Sequence, residues 1–398
     1  MPVTKPLRQG EFVALIAALF AVVALSIDAM LPALPQIAAD LAPDAPNRAQ
    51  LVITSFVFGM GLGTIVMGPL ADRFGRKPVI IAGIAGYMLA ALACFFAPSL
   101  EVLLAARVMM GIAAAAPRTV STALVRDLFK GRAMAQVMSF VMMVFTLVPA
   151  VAPLMGQTVI AFAGWHAIFL VYILLSFLIM LWVGFRQPET LAKENHRPLD
   201  LVSLWAGTKE LLSHRIVVVS ILCQTLTLGA LFATLSSMQG IFEQRFDRAE
   251  TFPLWFAFIA MCAMSGSFVN SRVVMTIGMR AVVVVTYAGV VALTLVLLVL
   301  YVPGLMPEGL AFPAHLLWSI ALFAMMGLSM GNLNALAMEP MGHIAGLAAS
   351  VITSIATVGS VLLAIPVGQL FDGTPVPLLA GVALFIGAAL VILRLWGR

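Results

Sequence analysis

Charge is what this chain has least of. Asp, Glu, Lys and Arg make up 10% of its 398 residues, against roughly a quarter in soluble domains. Apolar residues make up 62%, and the mean hydropathy is +1.10. A soluble protein of this length cannot hide so much apolar surface, so the soluble classes are excluded. The net charge of +5 is no nucleic-acid footprint, because its cations fall in turns between apolar runs, as an orientation signal does. No nucleic-acid partner is expected.

Cysteine is nearly absent as well. Cys94, Cys223 and Cys262 lie inside apolar runs, their number is odd, and no CxxC or His/Cys spacing accompanies them. Small core residues are the plain reading, and no metal site is expected. No HExxH and no paired acids facing one cavity are found, so no residue is nominated as catalytic and no enzyme is expected. Apolar/polar alternation is missing from the runs, which argues against a β-barrel. At the start, Lys5 and Arg8 precede the apolar run Phe12 to Ile27 and imitate a signal peptide. The run passes Asp28 and reaches Pro35 without a convincing cleavage site, so it reads as an uncleaved first span.

What is present is a succession of runs of about 20 apolar residues. They predict an all-α polytopic membrane protein of twelve transmembrane helices. The helices lie near 11–35, 48–70, 78–97, 100–124, 133–161, 165–186, 214–242, 252–270, 280–302, 314–338, 343–370 and 375–396. The longest polar stretch divides the chain into an N-terminal six-helix bundle (1–186), a cytoplasmic linker (187–213) and a C-terminal six-helix bundle (214–398). The second half weakly echoes the first: Gly278 and Arg280 sit where Gly75 and Lys77 sit. Small-residue patches, Gly59-x-Gly61-x-Gly63 and Ala113 to Ala116, let helices approach closely.

Of the 22 cations, seventeen fall on one side of this arrangement. Arg48, Arg245 and Arg248 fall on the other, and Arg107 and Arg118 lie inside the fourth span. That bias puts both termini in the cytoplasm. Most Trp residues, Trp165, Trp182 and Trp318 among them, fall near span ends, as an interfacial belt places them.

Ionisable groups inside the membrane are costly, so each is a functional candidate. Asp28 in the first span and Arg107 in the fourth lie at similar depth, near the membrane middle, at about 1.5 Å per residue. Arg118 follows Arg107 by close to three turns and shares its face. Two readings stay open. Asp28 takes up and releases a proton under the influence of Arg107 or Arg118, or it forms a permanent ion pair that pins the first span to the fourth. No histidine is expected deep in a span: His166, His196, His214, His315 and His343 read as loop or helix-end residues. Glu339, in Met-Glu-Pro-Met-Gly-His, reads as a helix-end group.

The densest charge cluster of the first half is Gly68-Pro-Leu-Ala-Asp-Arg-Phe-Gly-Arg-Lys77. It predicts a cytoplasmic turn. Asp72 and Arg76, four apart, share a face if the turn is helical, and Asp72 can accept from a nearby helix N-terminus. Arg126 and Asp127 close the fourth span on the same side and can join the network. In the fifth span Pro149 and Pro153 remove two backbone donors and bend the helix, with Gly156 just beyond. Phe (25) and Met (24) far outnumber Tyr (4). A cavity lined by Met30, Gln224, Asn332, Asn334 and Glu339 among such residues suits amphipathic organic compounds better than sugars.

These segments resemble the major facilitator superfamily. Gly68-x-x-x-Asp72-Arg73-x-Gly75-Arg76-Lys77 is similar to its signature between spans 2 and 3. Arg107-x-x-x-Gly111-x-x-Ala114 is similar to the span-4 motif of its proton-coupled members, with Met110 where the family usually has Gln. Pro149 and Pro153 replace part of the glycine pattern of its antiporter motif. Asp28 with Pro32 and Pro35, Leu124-Val-Arg-Asp-Leu-Phe129, Ala152-Pro-Leu-Met-Gly156 and Met338-Glu-Pro-Met-Gly342 resemble the bicyclomycin-resistance (Bcr/CflA) subgroup of drug:proton antiporters. The resemblance implies two six-helix bundles rocking around a midplane site. It implies a latch of Asp72, Arg76 and Asp127 in the outward-open state, and Arg107 in proton coupling. Arg118 after Pro117 is unusual for the subgroup. A proton-coupled efflux transporter, acting as a monomer without a cofactor, is the expected function; a symporter or uniporter for a small metabolite is the alternative.

Overall fold

In hydrocarbon every backbone N–H and C=O must find its partner within the protein, so apolar runs of this length coil into helices. The computed structural model describes residues 7–192, 194, 196 and 201–396, and among them there are no strands. The helices are α1 (Gln9–Asp28), α2 (Leu34–Leu41), α3 (Leu51–Phe74), α4 (Arg76–Phe95), α5 (Leu100–Leu128), α6 (Gly131–Ala163) and α7 (Ala167–Arg186). After them come α8 (Leu201–Ser213), α9 (Arg215–Gln244), α10 (Phe252–Ile277), α11 (Met279–Tyr301), α12 (Glu308–Met338), α13 (Ala345–Gln369) and α14 (Val376–Trp396). All but α2 and α8 are long and apolar enough to cross a membrane, which makes twelve spans among the described residues. The cations Lys5, Lys193, Arg197 and Arg398 lie outside the described residues.

Helices α12 and α13 belong to one apolar stretch of 62 residues, Glu308–Gln369. At about 1.5 Å per residue it is roughly three times the thickness of a hydrocarbon core, so it has to fold back. It does so at the 3₁₀ segment Glu339–Ile344, where Met341 leaves helical geometry with φ −104° and ψ 19°.

The charged segment 68–77 is less of a loop than its composition suggests. Its residues 68–74 continue α3, and Arg76 opens α4, so Gly75 alone makes the reversal. Gly75 sits at φ +99°, and Gly278 makes the turn between α10 and α11 at φ +83°. Only glycine enters that region without strain, so the one-residue turn recurs in both halves of the chain.

Two compact units form. The first comprises Met1–Asp44 and Ser55–Leu204, the second Ala45–Thr54 and Trp205–Arg398. The division thus falls inside the predicted linker, and a short segment before α3, together with the first turn of α3, belongs with the second unit. That segment is tied down there: Asn47 Nδ2 donates to the carbonyls of Gln369 (3.2 Å) and Phe371 (2.7 Å), and Gln369 Nε2 donates to the Asn47 carbonyl (2.9 Å).

Within the first unit one apolar cluster joins Leu15, Ile16 and Leu19 of α1 to Ile80 and Ile84 of α4, Val120 and Leu124 of α5, and Val137 and Val141 of α6. Lipid tails are as apolar as these side chains, so close packing rather than water exclusion holds the helices together. Small residues permit it. A Cβ on Gly59 would lie 2.0 Å from the Val108 carbonyl oxygen, and one on Gly111 would lie 2.0 Å from that of Phe56. In the second unit Leu211, Val217, Ile221, Met341, Val351 and Ile352 form the corresponding cluster of α8, α9, the 3₁₀ segment and α13.

Candidate functional site

The first unit gathers the predicted residues at two places. One is the broken end of α1. Pro32 has no N–H to offer, and the chain passes from α1 through a 3₁₀ turn, Leu31–Ala33, into α2. The last turn tightens as it breaks. Ala29 N donates to the Leu25 carbonyl at 3.1 Å, whereas Met30 N donates to Ile27 at 3.3 Å instead of to Ser26. The Ser26 carbonyl is thereby freed, and Arg107 takes it: Nη2 donates to it at 2.9 Å. Tyr172 Oη donates to the Leu25 carbonyl at 2.9 Å, and the Ser26 hydroxyl meets Tyr87 Oη at 2.6 Å.

Arg107 is fully buried. Three features accommodate its charge. The end of α1 carries partial negative charge, the Phe56 ring lies 4.5 Å from the guanidinium carbon, and the Met110 sulfur accepts at 3.6 Å.

Asp28 is the last residue of α1 and is 6% exposed. Among the described residues no hydrogen bond or ion pair reaches its carboxyl group. The permanent Asp28 ion pair, one of the two readings open from the sequence, is therefore not formed. Arg107 holds the backbone two residues before Asp28 instead. Arg118, half-buried on the same helix, directs Nη1 to the Met60 sulfur at 3.4 Å.

Helix α6 closes on this break. Pro149 and Pro153 lie inside it, and Gly156 is seated against the chain just past Asp28. A Cβ on Gly156 would stand 2.1 Å from the Ala29 carbonyl oxygen. Met30, nominated for a substrate cavity, is fully enclosed here, so its side chain offers no open surface.

The second place is the α3–α4 turn. Arg76 is buried and bridges two carboxylates: Nη1 meets Asp72 Oδ1 at 2.5 Å and Nε meets Asp127 Oδ2 at 3.1 Å. Thr190 Oγ1 donates to the same Asp127 oxygen at 3.1 Å. The α4 N-terminus is capped by Glu189 and not by Asp72. The carboxylate of Glu189 accepts from Arg76 N and Lys77 N, each at 3.0 Å, and from Thr190 N and Leu191 N, each at 2.9 Å. The partial positive charge of a helix start favours this anion. A Cβ on Gly75 would meet Glu189 Oε2 at 2.6 Å, a second reason for glycine there. Lys77 Nζ donates to the Gly184 carbonyl at 2.7 Å.

Two nominated residues stay out of this network. Arg126 is exposed and its side chain makes no hydrogen bond or ion pair among the described residues, and Arg73 is exposed with its guanidinium over Phe74 at 5.1 Å. The reason for Arg126 is geometric: it neighbours Asp127 on α5, and residues one apart on a helix face different directions. Gly68 lies in the last two turns of α3. Glu189 was missed by sequence reasoning, since it stands 113 positions from Arg76 and no local spacing marks it.

The second unit holds the other nominated residues. Gln224 is buried with its Nε2 unpartnered among the described residues. Asn332 is buried and donates to Asn270 Oδ1 and to the Leu328 carbonyl, both at 2.8 Å. Asn334 and Glu339 are exposed. The four therefore do not converge on one enclosed pocket within this unit. The internal echo is clearer here than in the sequence: Thr227 Oγ1 meets Tyr287 Oη at 2.5 Å, as Ser26 meets Tyr87 in the first unit.

Two expectations need correction. His315 is not a helix-end residue. Helix α12 starts at Glu308, with Pro313 inside it, because membrane helices tolerate proline. His315 is consequently two turns in and 1% exposed, with neither ring nitrogen partnered among the described residues. Phe242, Phe246 and Trp318 surround it. Trp318 is no interfacial anchor either; it is fully buried and donates Nε1 to Thr294 Oγ1 at 2.9 Å.

Twelve long apolar helices and an interrupted first span with a buried acid define a polytopic helical membrane protein. The family model of the Major Facilitator Superfamily matches residues 16–364, and the chain belongs to that superfamily. It is 29% identical over 385 residues to the uncharacterised MFS-type transporter YdgK of Bacillus subtilis, covering 94% of this chain and 91% of that one. It is 36% identical over 256 residues to the bicyclomycin resistance protein homologue of Haemophilus influenzae, covering 63% of either chain. Among solved structures, the D-xylose–proton symporter superposes with a TM-score of 0.75 over 96% of both chains at 12% identity, which speaks for the fold alone.

Proposed function

We propose that this protein is a proton-coupled efflux transporter, a drug/H⁺ antiporter of the Bcr/CflA type. It exports small amphipathic organic compounds or antibiotics by alternating access, with the proton gradient as its energy source and no cofactor. It works as a monomer in the bacterial inner membrane with both termini in the cytoplasm, as the cation bias supports. The similarity to a bicyclomycin resistance homologue favours an exported antibiotic as cargo.

The observation that carries this reading is Asp28. It is buried at a helix break and unpartnered among the described residues. A carboxyl group so placed can gain or lose its charge without breaking a buried ion pair, which would cost about 3–5 kcal/mol. Arg107 acts on it through the backbone: it holds the Ser26 carbonyl and so fixes the broken end that carries Asp28. Arg118 is a further coupling candidate. Asp72, Arg76, Asp127 and Glu189 tie the α3–α4 turn to the end of α5 and the start of the linker, and they serve as the cytoplasmic latch. Pro149, Pro153 and Gly156 let α6 follow the break. Gln224, Asn332, Asn334 and Glu339 supply polar contacts to cargo.

The test is Asp28→Asn in proteoliposomes with an imposed pH gradient and a panel of amphipathic antibiotics. Wild-type protein should move cargo against its gradient in exchange for protons, and the variant should fold but lose uphill transport. Co-movement of cargo and protons would make the wild type a symporter. Uphill transport by Asp28→Asn at the wild-type rate, with proton release on adding cargo, would put the carrier elsewhere, and Glu339 would be tested next.

A further inference from the structure

A groove of about 850 Å³ opens on the second unit, where the end of α10, the start of α11, the last turn of α12 and the end of α14 come together. Apart from Leu336, which neighbours Asn334 and Glu339 near the end of α12, its lining lies far along the chain from the residues assigned a role above. Counting spans from α9 puts these four helix ends on one face of the membrane.

Its lining is of two kinds. Val284, Leu336 and Leu395 are apolar, while Arg280 and Arg394 bring two guanidinium groups and, among the described residues, no acid lines the groove with them. Arg280 is held in place, its Nη2 donating to the Leu393 carbonyl at 2.8 Å. Arg394 is exposed; its carbonyl accepts a longer bond from Arg280 Nη2 at 3.5 Å, while its guanidinium makes no hydrogen bond or ion pair among the described residues. Val284 lies one turn beyond Arg280, so an apolar wall runs from the cationic mouth along α11. Ile277 and Leu395 are 49% and 66% exposed, as suits side chains that meet lipid.

We propose that this groove binds an anionic phospholipid, its phosphate on Arg280 and Arg394 and an acyl chain along Val284 and Leu336. Charge and apolarity together select this occupant. A small anion would use the arginines and gain nothing from the walls. A zwitterionic lipid would use the walls and gain little from two cations, whereas each arginine near an anionic headgroup contributes about fivefold in affinity. Gly278 borders open space at the mouth, with nothing within 4 Å of where its Cβ would be.

Native mass spectrometry of the full-length protein in detergent tests this, with dioleoylphosphatidylglycerol and dioleoylphosphatidylcholine supplied in equal amounts. One phosphatidylglycerol should be retained preferentially. Arg394→Gln should weaken that retention about fivefold, and Arg394→Lys should keep most of it. Val284→Trp, which fills the groove without changing charge, should weaken it too. Equal retention of the two lipids would overturn the proposal, as would unchanged retention by Arg394→Gln. Displacement of the lipid by millimolar inorganic phosphate would reduce the groove to a bare anion site and overturn it as well.

Discussion

Gly156→Ala is the most direct probe of how α6 meets the broken end of α1. The added methyl would sit 2.1 Å from the Ala29 carbonyl oxygen and 3.0 Å from its carbon. A carbon and a carbonyl oxygen approach to about 3.3 Å at their closest, so α6 has to retreat by about 1.2 Å. The obstacle is backbone and cannot rotate away. Overpacking of this kind costs up to about 3 kcal/mol, and the better helix propensity of alanine returns about 1 kcal/mol. A net loss of about 2 kcal/mol lowers the ratio of folded to unfolded protein about thirtyfold. The same substitution at Gly184 or Gly289 meets nothing within 4 Å. There only the propensity remains, so stability should rise by up to about 1 kcal/mol. Thermal unfolding of the three variants in one detergent reads the difference in sign, and transport at a temperature where all are folded reads the functional effect. If Gly156→Ala unfolds no earlier than Gly184→Ala and transports normally, the close approach of α6 to the Asp28 break is not what holds that region together.

Glu189→Gln should loosen the start of α4 by about 1 kcal/mol, and amide hydrogen exchange at Arg76 and Lys77 should accelerate while exchange in the rest of α4 stays put. Arg107→Met takes a donor from the Ser26 carbonyl in a buried setting and should cost about 2–3 kcal/mol; Arg118→Met, which gives up only a sulfur contact among those described, should cost clearly less in the same thermal assay. His315→Phe removes two unpartnered buried nitrogens and should leave the unfolding temperature unchanged or raise it. A variant that unfolds earlier would mean that the ring has a polar partner.

Much of the fold is legible in the sequence because lipid leaves a chain few options. Runs of about 20 apolar residues can only be helices, and the structure places twelve long ones close to where the runs lie. The same constraint picked out Asp28 and Arg107, since a buried charge in such a run is conspicuous. The helix starts were less legible: the tenth run reads as 314–338, yet α12 begins at Glu308, and so His315 and Trp318 were placed too near a surface. Arg126 was drawn into the charge network by its neighbour Asp127, a proximity along the chain that helical geometry cancels.

Composition and hydropathy alone thus determined that the chain spans a membrane as a helical bundle, how many times it does so, and which few residues carry charge within it, because each of these follows from the cost of burying polar groups in lipid. Only the tertiary structure decided what those residues touch. Arg107 takes a backbone carbonyl freed by the break at Pro32, Asp28 is left without a partner among the described residues, Glu189 crosses 113 positions to cap α4, and Gly156 is fitted to Ala29. Each of these depends on which helices lie side by side, and helix contacts in lipid are chosen by the shape of small residues and the placement of hydrogen-bonding groups, which no periodicity in the sequence encodes.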